Sequence, residues 1–139
     1  MLIEVKTKVE RIVDSKTKRR VETFVVPDCE LFVNAEHKVM ALLSEEEELG
    51  VVNSFEIQFM RISPIKEVCN QFTGEYSFIA TLKDLFTDDE GNEKPLKYKV
   101  LLWADTLSIA LSNAMSLKAQ GYDMEIETLK QVDYKYIEE

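Results

Sequence analysis

The stretch Val21–Val68, VETFVVPDCELFVNAEHKVMALLSEEEELGVVNSFEIQFMRISPIKEV, decides the fold. It reads as a short strand (Val21–Val26), a helix of about four turns and a long closing strand, and the same series is written again between Leu96 and Ile137. The correspondence is plainest in the closing strands. Ser54-Phe55-Glu56-Ile57-Gln58 falls on Asp123-Met124-Glu125-Ile126-Glu127, and without a gap Arg61 meets Lys130, Lys66 meets Lys135 and Val68 meets Ile137. The helices follow, with Phe32, Ala35, Val39, Met40 and Leu42 over Leu107, Ala110, Ala114, Met115 and Leu117. A further alternating strand precedes each copy, Leu2–Val13 and Glu75–Phe86. Each half is therefore strand, strand, helix, strand. A period of about 70 residues is too long for a solenoid, so the repeat predicts one pseudo-symmetric domain rather than an array.

The expected fold class is α+β: one domain, 1–139, of two tandem β-β-α-β units, 1–69 and 75–139, related by a pseudo-two-fold axis. Asn70-Gln71-Phe72-Thr73-Gly74 is the link, too short to separate independent domains. Within a unit the hairpin is antiparallel, and the helix is long enough to cross back to the same end of the sheet. Strand order 3-1-2 then makes every neighbour antiparallel, with the helices on one face. Whether the units share one six-stranded sheet or pack as two sheets stays open at this level.

Local signals fill in the units. Ile3, Val5, Thr7, Val9, Arg11 and Val13 alternate with Glu4, Lys6, Lys8 and Glu10, the period of a half-buried strand. Asp14–Lys18 reads as a polar hairpin connection, and Pro27-Asp28 stops the returning strand. Phe32, Ala35, Val39, Leu42 and Leu43 make the core stripe of the first helix. Asn34 is its expected N-cap. Glu45–Glu48 oppose the helix dipole at its C-terminus and predict a frayed, exposed insertion ended by Leu49-Gly50. The apolar positions change phase from Phe55, Ile57 and Phe59 to Met60 and Ile62, which predicts a bulge or a strand passing from one sheet face to another environment, and Pro64 points to an edge. In the second half Asp88–Asn92 is a turn, Asp105 or Ser108 caps a helix carrying Leu107, Ala110, Leu111, Ala114 and Leu117, and Gly121 ends it.

Composition limits function. With 45% hydrophobic residues the chain can build a core. The net charge of −9 disfavours nucleic acid and anionic lipid as partners of the whole surface. Residues 1–20 run against that balance: Lys6, Lys8, Arg11, Lys16, Lys18, Arg19 and Arg20 face only Glu4, Glu10 and Asp14. No apolar run reaches the length of a membrane span and no signal peptide is recognisable, so a cytoplasmic protein without a membrane partner is expected. Cys29 and Cys69 lie far apart without CxxC or clustered histidines, so no metal is expected, and reduced thiols are expected over the alternative of one disulfide.

Catalytic chemistry finds little material. His37 is the single histidine and sits in a polar part of its helix, no signature surrounds either cysteine, and Glu45–Glu48 and Asp88-Asp89-Glu90 lack calcium-loop spacing. No Walker loop, GxGxxG, GxSxG or HExxH occurs. The expectation is no enzyme, no catalytic residue and no cofactor. Two binding readings remain. The first is a binding or accessory protein acting through protein–protein contacts, an unknown partner or a second copy, with Met60, Ile62, Tyr134 and Tyr136 as candidate surface. The alternative is a single-stranded nucleic-acid binder with Lys16, Lys18, Arg19 and Arg20 as a basic tip and Tyr98, Trp103, Tyr134 and Tyr136 as stacking platforms.

The chain resembles a family of small, functionally uncharacterised proteins of Bacteroides-type bacteria and their phages. The resemblance rests on Val33-Asn34-Ala35-Glu36 at the start of the first helix and on Phe55–Val68 with its Ile-Ser-Pro-Ile-Lys-Glu-Val. It rests also on the Asp-Asp-Glu-Gly-Asn-Glu-Lys hairpin leading into Tyr98–Ala104. It covers nearly the whole chain and implies a provenance, possession of a domain of unknown function, and no activity.

Overall fold

The computed structural model describes residues 2–87, 89–119 and 125–138. The expected helix stop at Gly121, the first residues of the repeated closing strand (Asp123, Met124) and the start of the turn at Asp88 lie outside the described residues. The elements in chain order are β1 (Ile3–Val13), β2 (Lys16–Val26), α1 (Phe32–Glu48), β3 (Val52–Ile62), β4 (Ile65–Cys69), β5 (Tyr76–Thr87), β6 (Glu93–Ala104), α2 (Leu107–Ala119), β7 (Glu125–Val132) and β8 (Tyr134–Tyr136). They form an α+β structure with two four-stranded sheets, ordered β3-β1-β2-β8 and β4-β6-β5-β7. Two compact units result, Met1–Ser63 with Asp133–Glu139, and Pro64–Val132.

In the first unit β1 sends Ile3, Val5, Thr7, Val9 and Arg11 to the side covered by α1, as its period of two requires. The hairpin turns on two residues only, Asp14 and Ser15, both with positive φ (52 and 64), the twist-matched form of a tight β-turn. Pairing therefore starts at Val13 with Lys16, and β2 is eleven residues long. The basic residues expected in a loose connection lie instead on a strand. The reason is simple: every residue of β1 out to Val13 has a ladder partner there.

Helix α1 begins at Phe32 behind Leu31, which makes no side-chain cap, so Asn34 belongs to the first turn and is not the N-cap. Glu45–Glu48 continue the helix rather than fray. Val51 N–H donates to Glu46 O (3.0 Å) and Gly50 N–H to Glu47 O (3.1 Å), with Gly50 at φ 76. This closes the end in the glycine-dependent motif that satisfies the last carbonyls. The inward stripe is Ala35, Val39 and Leu43, and Phe32 is exposed. In α2 the stripe is Ala110, Ala114 and Leu117, and Leu107 and Leu111, expected in the core, are exposed. Two of the three inward positions are alanines, and the flanking leucines stay outside.

Each closing strand is followed by a second, shorter strand, β3 by β4 and β7 by β8. β3 skips Gln58 opposite β1, the expected bulge, and this turns Phe59 toward Lys6 (5.4 Å from Nζ to the ring centre) while Met60 stays with the core. The ladder ends where Ser63 N–H donates to Leu2 O. Pro64 has no N–H to continue it. The chain resumes as β4, parallel to β6. Likewise β7 ends at Val132, and past Asp133 β8 pairs parallel to β2. Strand order 3-1-2 holds within each three-strand set, β3-β1-β2 and β7-β5-β6, all antiparallel. The fourth strand of each sheet corrects the expectation of antiparallel neighbours throughout. Parallel strands cannot be joined by a tight hairpin, and here β5 lies between β4 and β6 in the chain, and α1 through β7 between β2 and β8.

Candidate interaction surfaces

The second unit buries Phe78, Ala80, Leu82, Val100 and Leu102 beneath α2. Thr106 caps that helix, its Oγ1 accepting from Ile109 N–H at 3.2 Å. From Thr106 to Leu117 the chain has no charged residue. Away from the sheet α2 presents Leu107 (56% exposed), Ile109 (45%), Leu111 (44%) and Met115 (55%). Leu107, Leu111 and Met115 recur every fourth residue and form one ridge. Beside the ridge run Ser108, Ser112 and Ser116, all exposed. The Ser116 hydroxyl donates to Asn113 O at 2.6 Å, so its hydrogen bond lies within its own helix. An apolar, uncharged helix face open to solvent is the kind of surface that marks a contact site. Motif reading overlooked it. Its signal was present as twelve consecutive uncharged residues in a chain that is 31% charged.

The first hairpin carries the second candidate. Lys16, Lys18, Arg19 and Arg20 are all exposed on β2. Arg19 pairs loosely with Glu10 (3.5 Å) and is 91% exposed, whereas Lys8, Lys16, Lys18 and Arg20 form no ion pair among the described residues. A groove of about 490 Å³ crosses β1, β2 and β3 between Lys8, Glu10, Arg19, Val21 and Glu56. The acids in its wall offset the cations, so its field is mixed. Of the expected stacking residues, Tyr98 and Trp103 belong to the second unit. Tyr134 and Tyr136 stand opposite Thr23 and Val25, roughly 10 Å or more along β2 from Arg20. The basic tip and these tyrosines are not brought together.

Met60, Ile62, Tyr134 and Tyr136 lie on β3 and β8, the two outer strands of the first sheet. Met60 packs on the core and Ile62 is exposed. The Tyr134 hydroxyl is pushed above its ordinary range by burial, then by its hydrogen bond to Glu4 and that carboxylate's charge. Glu4 also receives Arg61 (3.3 Å). Tyr134 is thus engaged inside the unit.

A buried charge cluster underlies the same sheet. Arg11 donates Nε to Glu22 Oε2 (2.5 Å) and Nη2 to Glu22 Oε1 (2.7 Å), while Nη1 reaches Glu46 on α1 (3.1 Å). Lys135 on β8 adds a third cationic contact to Glu22 at 3.0 Å. Burial pushes the Glu22 carboxyl up, but the hydrogen bonds from Arg11 and Lys135 outweigh it and hold the group below the ordinary glutamate value. No buried side-chain polar atom lacks a hydrogen-bond partner among the described residues.

Nucleophilic chemistry is disfavoured at Cys69, whose thiol burial pushes up to about 11. Cys29 is buried with its thiol on Pro27 O, and His37 is exposed. Among the described residues no group of three or more His, Cys, Asp or Glu is placed to hold a metal ion, and no helix is long and apolar enough to cross a membrane.

Comparison with curated proteins finds no match. Comparison with solved structures finds none either. A family model described as a domain of unknown function, DUF4494, matches residues 1–137. That span takes in β1 through β8 and both helices, and the chain therefore belongs to the DUF4494 family.

Proposed function

We propose that the chain is a non-enzymatic binding or accessory protein that works through protein–protein contact, with the outward face of α2 as the contact. The observation that carries this reading is the exposed ridge Leu107, Leu111 and Met115 on a helix that has no charged residue from Leu107 to Leu117. Water gains nothing from that ridge, and the core beneath α2 is already closed by Ala110, Ala114 and Leu117. A photo-cross-linking side chain placed at Leu111, and at the exposed Lys66 of β4 as control, tests it in cells making the full chain. The expected result is a protein adduct from position 111 and none from position 66. Equal labelling at both, or none at 111, removes α2 as the contact.

A second reading, a single-stranded nucleic-acid binder, is supported by the unpaired Lys8, Lys16, Lys18 and Arg20 on one hairpin. Its affinity would fall steeply with salt. Titration with a labelled oligonucleotide at low and moderate salt decides it: no binding at low salt, or binding unchanged when Lys18, Arg19 and Arg20 become Ala, ends this reading.

The matching strand order and matching inward helix positions support duplication of an ancestral β-β-α-β unit, with a pseudo-two-fold relation between the copies. Relatives in which one half alone changes its strand order would remove that origin. The resemblance to proteins of Bacteroides-type bacteria and their phages suggests a cytoplasmic, phage or mobile-element setting. Family genes found consistently among chromosomal housekeeping genes would argue it away.

A further inference from the structure

Resting on the reading of α2 as the contact, we propose that its occupant is α2 of a second copy of the same chain, in a two-fold symmetric helix pair. A symmetric contact requires one patch to be complementary to itself. Here a ridge of large side chains, Leu107, Leu111 and Met115, runs directly beside a furrow of small ones, Ser108, Ser112 and Ser116. Both follow the four-residue row, so the ridge of each copy fits the furrow of the other in the commonest crossing of helices, near about −50°. Burying the furrow is cheap at Ser116, whose hydroxyl already bonds within its own helix.

Charge points the same way. A chain of net charge −9 repels its own copies, and like charges meeting at an interface are costly. Helix α1, with Glu45, Glu47 and Glu48 exposed, cannot host such a meeting. The exposed α2 face from Leu107 to Leu117 is uncharged, so two copies approach there at least cost. Charge complementarity steers and registers unlike partners, and the stretch Leu107–Leu117 carries none; the charged residues Asp105 and Lys118 stand only at its two ends. Area sets the strength. Thirteen residues make a helix about 20 Å long, and one pair of that length buries less than the roughly 1,200 Å² of the smaller stable interfaces. The dimer is weak and concentration-dependent.

Sedimentation equilibrium of the full chain, from about 10 µM to about 1 mM, reads it directly. The average mass should climb toward twice that of the chain, and more steeply at high salt, because screening removes the repulsion and the contact holds no ion pair to weaken. Ser112 stands near the middle of the outward face and is exposed, so Ser112→Arg and Ser112→Glu should each fold with unchanged melting and stay monomeric. Mixed in equal amounts the two should dimerise again. A monomeric wild type throughout, or dimerisation indifferent to Ser112→Arg, overturns the pairing. The cross-link at Leu111 separates the two levels. An adduct with a different protein overturns self-pairing and leaves α2 as the contact, whereas no adduct removes both.

Discussion

Helix α1 turns Ala35, Val39 and Leu43 to its core, and α2 turns Ala110, Ala114 and Leu117 to its own. Outward they diverge. α1 exposes Phe32, Val33 and Met40 among charged residues, Glu36, Lys38 and the run Glu45–Glu48 with Glu46 tied back to Arg11, while the exposed residues of α2 from Leu107 to Ser116 are leucine, isoleucine, methionine and serine. The same inward stripe thus serves two different outer faces. What a β-β-α-β unit demands of its helix is three residues on one side, and everything else is free to be spent on solubility or on contact.

The largest way to break the comparison is at the buried charge cluster of the first unit. In the second unit the ion pair Lys97–Glu127 is solvent-accessible. Arg11→Ala leaves Glu22 buried with Lys135 alone and should cost about 3–5 kcal/mol, read as a lower urea midpoint. Replacing both partners, Arg11→Met with Glu22→Leu, should recover most of that loss, since two desolvated charges give way to packed carbon. Acid should find the same site. A carboxyl held below its ordinary value of 4.5 contributes stability above that pH, and the contribution is lost as pH falls below it toward the group's own lower pKa. Glu22→Gln should flatten that acid slope, which a series of melts between pH 6 and pH 3 would show on roughly the scale expected of one linked carboxyl.

The second unit has a steric point of its own. A Cβ on Gly74 would lie 2.3 Å from the Ala104 backbone. The chain passes there to let Glu75 N–H donate to Asp105 Oδ1 (2.9 Å), at the end of β6 where α2 is about to start. Gly74→Ala should therefore cost about 1–3 kcal/mol. Hydrogen exchange should place the damage in β5, β6 and α2, with protection in β1 and β2 unchanged. Uniform loss in both units would show that they melt as one cooperative body.

Period and alternation make much of this legible in advance. β1 could be read residue by residue because Ile3, Val5, Val9 and their polar neighbours repeat every two. The bulge in β3 was legible as a change of phase. Lys16–Arg20 could not be placed, because a strand with two wet faces near its tip has no apolar alternation to reveal it. The breaks at Ser63-Pro64 and Asp133 were half visible: Pro64 announces that a ladder ends, but nothing local says which strand the next segment joins. Parallel pairing of β4 with β6 and of β8 with β2 is information held between distant segments. The exposed face of α2 was misread for a related reason. Periodicity identifies a helix as apolar on one side, but how wide a stripe the sheet covers is set by tertiary packing, and here only Ala110, Ala114 and Leu117 are buried.

The smallest difference between the helices is at their first turns, and it can be reversed. Thr106 caps α2 through Ile109 N–H, while Leu31, at the same place before α1, has the extended backbone of a cap (φ −121, ψ 142) and no side chain to use it. Thr106→Ala should cost about 1 kcal/mol, and Leu31→Asp should gain up to about that much. Leu31 is largely exposed, so little packing is given up, and the first turn of α1 has no acidic residue to complement its dipole. Slower amide exchange at Val33 and Asn34 would locate the gain. If Leu31→Asp leaves both exchange and melting where they were, the first turn of α1 is held by something other than its cap, and the two helices differ at their starts as they do on their outer faces.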